Sequence, residues 1–200
     1  MKTKNIFWAA LTVMCALTVQ TACTSKNNPS GTQEELSDTT AITINLDSIV
    51  IKPYLQFGTS LDDVKEYMAS NFADYSDKTP DSLIYYDFEG GPSWAKNYAN
   101  GKCQIGFYFS SSEGKNLKLV AYDFFFPMPL EPIMAELERN GFTNKGEIKF
   151  DDFNADISYL YLSSDERIEA MPSSWEKDGG SWAISFQPFD KEDLNHLVNK

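Results

Sequence analysis

In the stretch CQIGFYFSS, Cys103, Ile105, Phe107 and Phe109 alternate with Gln104, Gly106, Tyr108 and Ser110. A side-chain period of two is the signature of a β-strand, and it gathers the apolar set on one face. The period recurs in SWAISFQPF, where Trp182, Ile184 and Phe186 alternate with small or polar residues. A chain with this pattern needs a sheet with at least one covered face. LIYYDFE, LKLVAYDFFF, KGEIKFDDF, ADISYLYLSS and RIEAMPSSW are further strand candidates. LKLVAYDFFF is apolar on both faces near its end, so it belongs at the centre or under cover, and Pro127 stops it. Alternation of Ile42, Ile44 and Leu46 predicts another strand over Ile42–Tyr54. The segment from Gly90-Gly91-Pro92 to Gly101 reads as a loop, and EKDGG as a hairpin turn.

Two helices interrupt the strands. In FGTSLDDVKEYMASNF, Ser60 and Asp63 form a capping-box pattern, and Leu61, Val64, Met68 and Phe72 fall on one helical face. In PLEPIMAELERNGF, Leu130, Ile133 and Leu137 point inward, Pro132 lies in the first turn and Gly141 is the stop. Asp190 and Asp193 cap a short final helix with Leu194, Leu197 and Val198. Leu61, Val64 and Met68 superimpose on Leu130, Ile133 and Leu137, so the chain divides into candidate repeats over 54–126 and 127–189. The expected fold class is α+β: two helix-plus-three-strand units, with antiparallel sheets and helices packed on one face, in a single domain over 42–200. This order, with the helix start FGTSLDDVKEYM, resembles the tandem repeats of beta-lactamase-inhibitor-protein-like domains and of the small outer-membrane assembly lipoproteins. The resemblance implies protein binding without catalysis, and it carries over no functional residue.

The N-terminus reads as an address. Lys2 and Lys4 precede an uncharged apolar run from Ile6 to Val19, shorter than the roughly 20 residues that span a bilayer. It fits the apolar region of a secretory signal. Thr21-Ala22-Cys23 resembles the end of a bacterial lipoprotein signal. The resemblance implies a signal peptide over 1–22, a lipid (palmitate) anchor on Cys23 and a flexible tether over 23–41. Gln20 stands where that motif usually has Leu, so cleavage without lipidation is the alternative. In Bacteroidota lipoproteins, acidic residues just after the lipidated Cys mark surface export. Here TSKNN follows and Glu34 is the first acid, which implies an outer-membrane protein facing the periplasm, with surface exposure as the alternative. The same resemblance makes Thr39, Ser48 and Ser82, each preceded by Asp, candidate O-glycosylation sites.

A net charge of −12, with only Arg139 and Arg167 as arginines, argues against nucleic acid as a partner, because phosphate neutralisation needs clustered cations. The single histidine, His196, stands four residues from the C-terminus, a poorly held position for a catalytic base. Cys103 lies mid-strand on an apolar face, where a thiol acts as a small hydrophobe. Asp152, Asn154 and Asp156 begin like a calcium loop, but Ile157 replaces its Gly and Ser163 its closing Glu. No metal or cofactor is expected. Asp62-Asp63, Asp151-Asp152 and Asp165-Glu166 are paired acids that helix caps and turns explain. Trp94, Tyr98 and Trp175, in or near loops, are the candidate ligand-contact aromatics, with Trp182 alongside. The expected function is a non-enzymatic module that binds another envelope protein through an open sheet face. Glycan capture by loop aromatics is the first alternative, and a carboxylate-dependent hydrolase the second.

Overall fold

The computed structural model describes residues 51–88, 91–148, 155–175 and 180–191. Cys23, Thr39, Ser48, Asp152, Asn154, His196 and the expected signal, tether and final helix lie outside the described residues.

Ser60 starts the first helix as its sequence predicts. Its Oγ accepts from the Asp63 N–H at 3.4 Å, and Asp63 Oδ2 accepts from the Ser60 N–H at 2.9 Å. Two backbone donors that would otherwise lack partners are thus satisfied. Helix α1 runs Leu61–Asn71 and buries Val64 and Met68. Helix α2, Glu131–Arg139, has no side-chain cap; Pro132 pre-sets its first turn, and Ile133 and Leu137 are buried. Gly141, at φ 84°, takes the left-handed conformation that releases the chain.

The strands are β1 (Ser76–Asp77), β2 (Ile84–Phe88), β3 (Gly91–Ala99), β4 (Cys103–Phe109), β5 (Leu117–Phe124), β6 (Phe142–Ile148), β7 (Ile157–Ser163), β8 (Ile168–Ser174) and β9 (Trp182–Pro188). They form one nine-stranded sheet in the order β1-β3-β4-β5-β9-β8-β7-β6, with β2 also on β3, and every pairing is antiparallel. Pairing of β5 with β9, from Val120↔Phe186 to Asp123↔Ala183, joins the two halves of the chain.

The expected α+β class with two helix-plus-three-strand units is therefore corrected. The described chain is mainly antiparallel sheet, with two helices of 11 and 9 residues. Five strands follow α1 and four follow α2, all in one continuous sheet. The supposed loop from Gly91 contains β3, the longest strand, whose Ser93, Lys96 and Asn97 are buried. Polar residues at buried positions erase the alternation that marks a strand. The end of the expected Ile42–Tyr54 strand is corrected too. Ile51 and Tyr54 are buried, but the segment is in no strand ladder. Side chains hold it instead: Asn140 Nδ2 donates to the Ile51 carbonyl at 2.8 Å, and the Tyr122 hydroxyl donates to that of Lys52 at 2.7 Å.

Cross-strand partners share a face. On the first face Phe107, Val120, Phe186 and Ala170 follow one another across β4, β5, β9 and β8. With Val64, Met68, Ile133 and Leu137 they belong to the main core. The second face holds two smaller apolar clusters. Ala95, Tyr108, Leu119 and Ala121 form one, and Ile148, Leu160, Leu162 and Met171 the other. Alongside both runs a row of small and polar residues: Gln104, Asp123, Ala183, Ser173 and Ser158.

Candidate functional site

The aromatic edge of the sheet begins with a buried lysine. Lys96 on β3 faces the main core beside Phe107, and only 1% of its side chain is exposed. Its Nζ lies 2.8 Å from Asp77 Oδ2 and donates to the carbonyls of Thr79 and Pro80. A buried ammonium is tolerable only with such partners. The ion pair ties β1 and the following turn to one half of β3. The other half of β3, from Gly91 to Ala95, pairs with β2.

Strand β2 has no described neighbour on its outer side. Tyr86 and Phe88 stack at 5.4 Å, nearly parallel, and both pack on Tyr108. Tyr85 points to the opposite face, is 56% exposed, and stands 5.6 Å from the ring of its cross-strand partner Trp94. Ile84 is also exposed, and Asp87 is the only charged residue of the strand. The other edge, β6, is interrupted by a bulge between Asn144 and Gly146, and Lys145 reaches Glu166 at 3.4 Å. Bulges and charges discourage edge-to-edge pairing, and β2 has no bulge and a single charge.

A separate cleft of about 270 Å³ lies between the end of α1 and the β3–β4 turn. Phe72, Tyr75, Cys103, Phe124 and Phe126 supply its aromatic and thiol surface, and Asp74 is its one carboxylate. Burial pushes the Cys103 thiol up to about 12, which makes it a poor nucleophile. A two-carboxylate hydrolase needs a second acid across such a cleft, and the cleft's lining holds one.

On the second face, Asp123 faces Gln104, whose side chain hydrogen-bonds its carboxylate. Asp123 Oδ2 is buried without a partner, and desolvation raises the carboxyl to about 7. Tyr108, likewise pushed up by burial, has a partnerless hydroxyl, and Asn97 Oδ1 and Ser93 Oγ are in the same condition.

The sequence-derived candidates scatter. Trp94 lies on strand β3, and Tyr98 is buried at 6.0 Å from Phe107 in the core. Trp175 is partly exposed just past β8, and Trp182 is buried with its Nε1 donating to the Met128 carbonyl at 3.1 Å. Ser82 is exposed in the turn before β2. Asp156 is exposed, and its N–H donates to the Ser174 carbonyl at 2.8 Å. Of the paired acids, Asp63 caps α1, while Asp165 accepts from Ser163 Oγ at 2.8 Å in the β7–β8 turn. Tyr85, Asn97, Tyr108 and Asp123 are not legible as site residues in the sequence, because a lone polar or aromatic residue inside a strand gives no local signal. No described helix is long and apolar enough to cross a membrane. No family model, curated protein or solved structure matches the chain.

Proposed function

We propose that this protein is a non-enzymatic binding module of the bacterial envelope, held by lipid on Cys23, that captures an extended segment of another envelope protein along β2. The carrying observation is the unprotected aromatic edge: Ile84 and the Tyr85–Trp94 pair beside an outer backbone edge with no described partner. An added strand gains main-chain hydrogen bonds from such an edge and side-chain pockets from its alternation. Exposed Asp81 and Asp87, on a chain of net charge −12, favour a segment in which β-branched residues alternate with Lys or Arg. The contact differs from the open sheet face expected from sequence, because the second face carries buried apolar clusters. Glycan capture is less favoured, since the Tyr85 and Trp94 rings tilt by 59° and make no flat platform.

The test uses the full chain and a synthetic peptide alternating Val or Thr with Lys. Amide hydrogen exchange at Ile84–Phe88 should slow on peptide addition. An alternately N-methylated peptide, unable to pair through its backbone, should have no effect. Tyr85→Ala should weaken binding about tenfold or more while the fold remains intact. Protection elsewhere, indifference to N-methylation, or a response to oligosaccharides alone would remove the proposal. Anchoring is tested by a palmitate analogue in native cells: label should appear on the wild type and vanish with Cys23→Ser.

A further inference from the structure

The cleft between the end of α1 and the β3–β4 turn is apolar at its floor and charged at its rim. Of its lining residues, Phe72, Cys103 and Phe124 are buried, and Tyr75 and Phe126 are half-buried. Lys52, Asp74 and Lys102 are exposed at its mouth. The rings meet in two edge-to-face pairs: Phe72 with Tyr75 at 5.2 Å, and Phe124 with Phe126 at 6.3 Å. The rim is held in place. Asn100 Oδ1 accepts from the N–H groups of Lys102 and Cys103, each at 3.0 Å, and its Nδ2 donates to Asp74 Oδ2 at 3.0 Å. The Lys102 carbonyl accepts from the Phe125 N–H at 2.9 Å, and that of Lys52 accepts from the hydroxyls of Tyr67 and Tyr122. Each lysine thus stands on a fixed backbone, which lowers the ordering cost of binding.

The charges narrow the ligand. Lys65, Lys96, Lys115, Lys145 and Lys191 are in ion pairs, whereas Lys52 and Lys102 are in none among the described residues. On a chain of net charge −12, this mouth has two ammonium groups against one carboxylate, which the Asn100 amide already engages. Such a rim suits a single negative charge. An amine would meet two like charges, and a dianionic phosphate would set a second negative charge against Asp74. The floor suits a ring, because aromatic groups gain from edge-to-face and offset contacts that an alkyl chain forgoes. The volume, about 270 Å³, lies just under the roughly 300–1,000 Å³ of sites for drug-sized ligands, so it accommodates one small ring system.

We infer that this cleft binds a small aromatic carboxylate, its ring against Phe72, Tyr75, Phe124 and Phe126 and its carboxylate at the Lys52 and Lys102 ammonium groups. No residue of β2 lines the cleft, so the site is independent of strand capture at that edge.

The full chain is titrated with 3-phenylpropionate, followed by calorimetry and by backbone amide NMR. Binding should saturate, and the amide shifts should concentrate at residues 71–75, 100–103 and 124–126. Three relatives separate the contributions: 3-phenylpropionamide lacks the charge, 3-phenylpropylamine reverses it, and hexanoate lacks the ring. Each should bind at least tenfold more weakly. Lys52 and Lys102 are exposed, so the double variant Lys52→Gln, Lys102→Gln should keep the wild-type melting temperature and lose at least tenfold in affinity. Lys65→Gln, on α1 but outside the cleft lining, should bind as the wild type does. The site would be overturned by an absence of saturable binding, by shifts centred elsewhere, by equal binding of any of the three relatives, or by undiminished affinity in the double variant. Tighter binding of phenyl phosphate than of 3-phenylpropionate would also overturn it.

Discussion

Lys96 Nζ and Asp77 Oδ2 stand 2.8 Å apart, the lysine almost wholly buried and the aspartate partly open to solvent. Breaking one side of a buried pair orphans the other charge, whereas replacing the ion by an apolar group of similar volume does not. Asp77→Ala should therefore destabilise the protein by about 3 kcal/mol, and Lys96→Met by clearly less. Urea melts of both variants check the order. If Lys96→Met proved the more damaging, the carbonyl contacts to Thr79 and Pro80 would outweigh the ion pair.

Asp123 predicts a pH dependence opposite to that of most carboxylates. Its folded pKa, about 7, lies above its ordinary value of 3.8, so the folded state binds the proton more tightly. Its contribution is fully present below about pH 4 and is lost as pH rises through about 7. Asp63, Glu113, Asp165 and Glu166 are shifted downward and act in the opposite sense. The difference between wild type and Asp123→Asn isolates the effect. Relative to the variant, the wild type should lose on the order of 2–4 kcal/mol between pH 4 and pH 8. A flat difference would mean that the carboxylate is solvated.

Gly114 should not tolerate a side chain. Its φ is +67°, and a Cβ there would approach Leu61 Cβ to 2.6 Å. Leu61 is held by its N–H donating to the Gly114 carbonyl at 2.8 Å, so it cannot move aside freely. Gly114→Ala should cost about 2–3 kcal/mol, from left-handed strain and the contact together. Thermal denaturation would show it as a lowered Tm; an unchanged Tm would mean that the turn shifts at little cost.

Cys103 should be inert while the protein is folded. The thiol is 4% exposed and its pKa is raised to about 12, so almost no thiolate exists at pH 8. Reaction with a disulfide reagent should be slow in buffer and fast in denaturant, timed by absorbance. Fast labelling of the native chain would show that the cleft beside Tyr75 opens readily.

Sequence and structure agree where one element carries its own local signal. Ser60 and Asp63 cap α1, and the alternation of Cys103, Ile105, Phe107 and Phe109 is the core face of β4. In such places the nearest neighbours in sequence supply the hydrogen bonds or the period. β3 is not legible in the sequence because Lys96 is satisfied by Asp77, Thr79 and Pro80, contacts invisible to a window along the chain. The sequence points to Trp94 but not to its partner Tyr85, since their contact requires the β2–β3 register.

The sequence alone determined the helix starts, most strands, the acidic charge and the expectation of a lipid-anchored address. The tertiary structure decided that β5 pairs with β9, which merges two presumed units into one sheet. It also decided that β2 is an edge and that Asn97 and Tyr108 close over Gly106. Helix caps and strand periods arise from interactions a few residues apart. Sheet order and buried polar clusters arise from side chains that become neighbours only when distant strands pair.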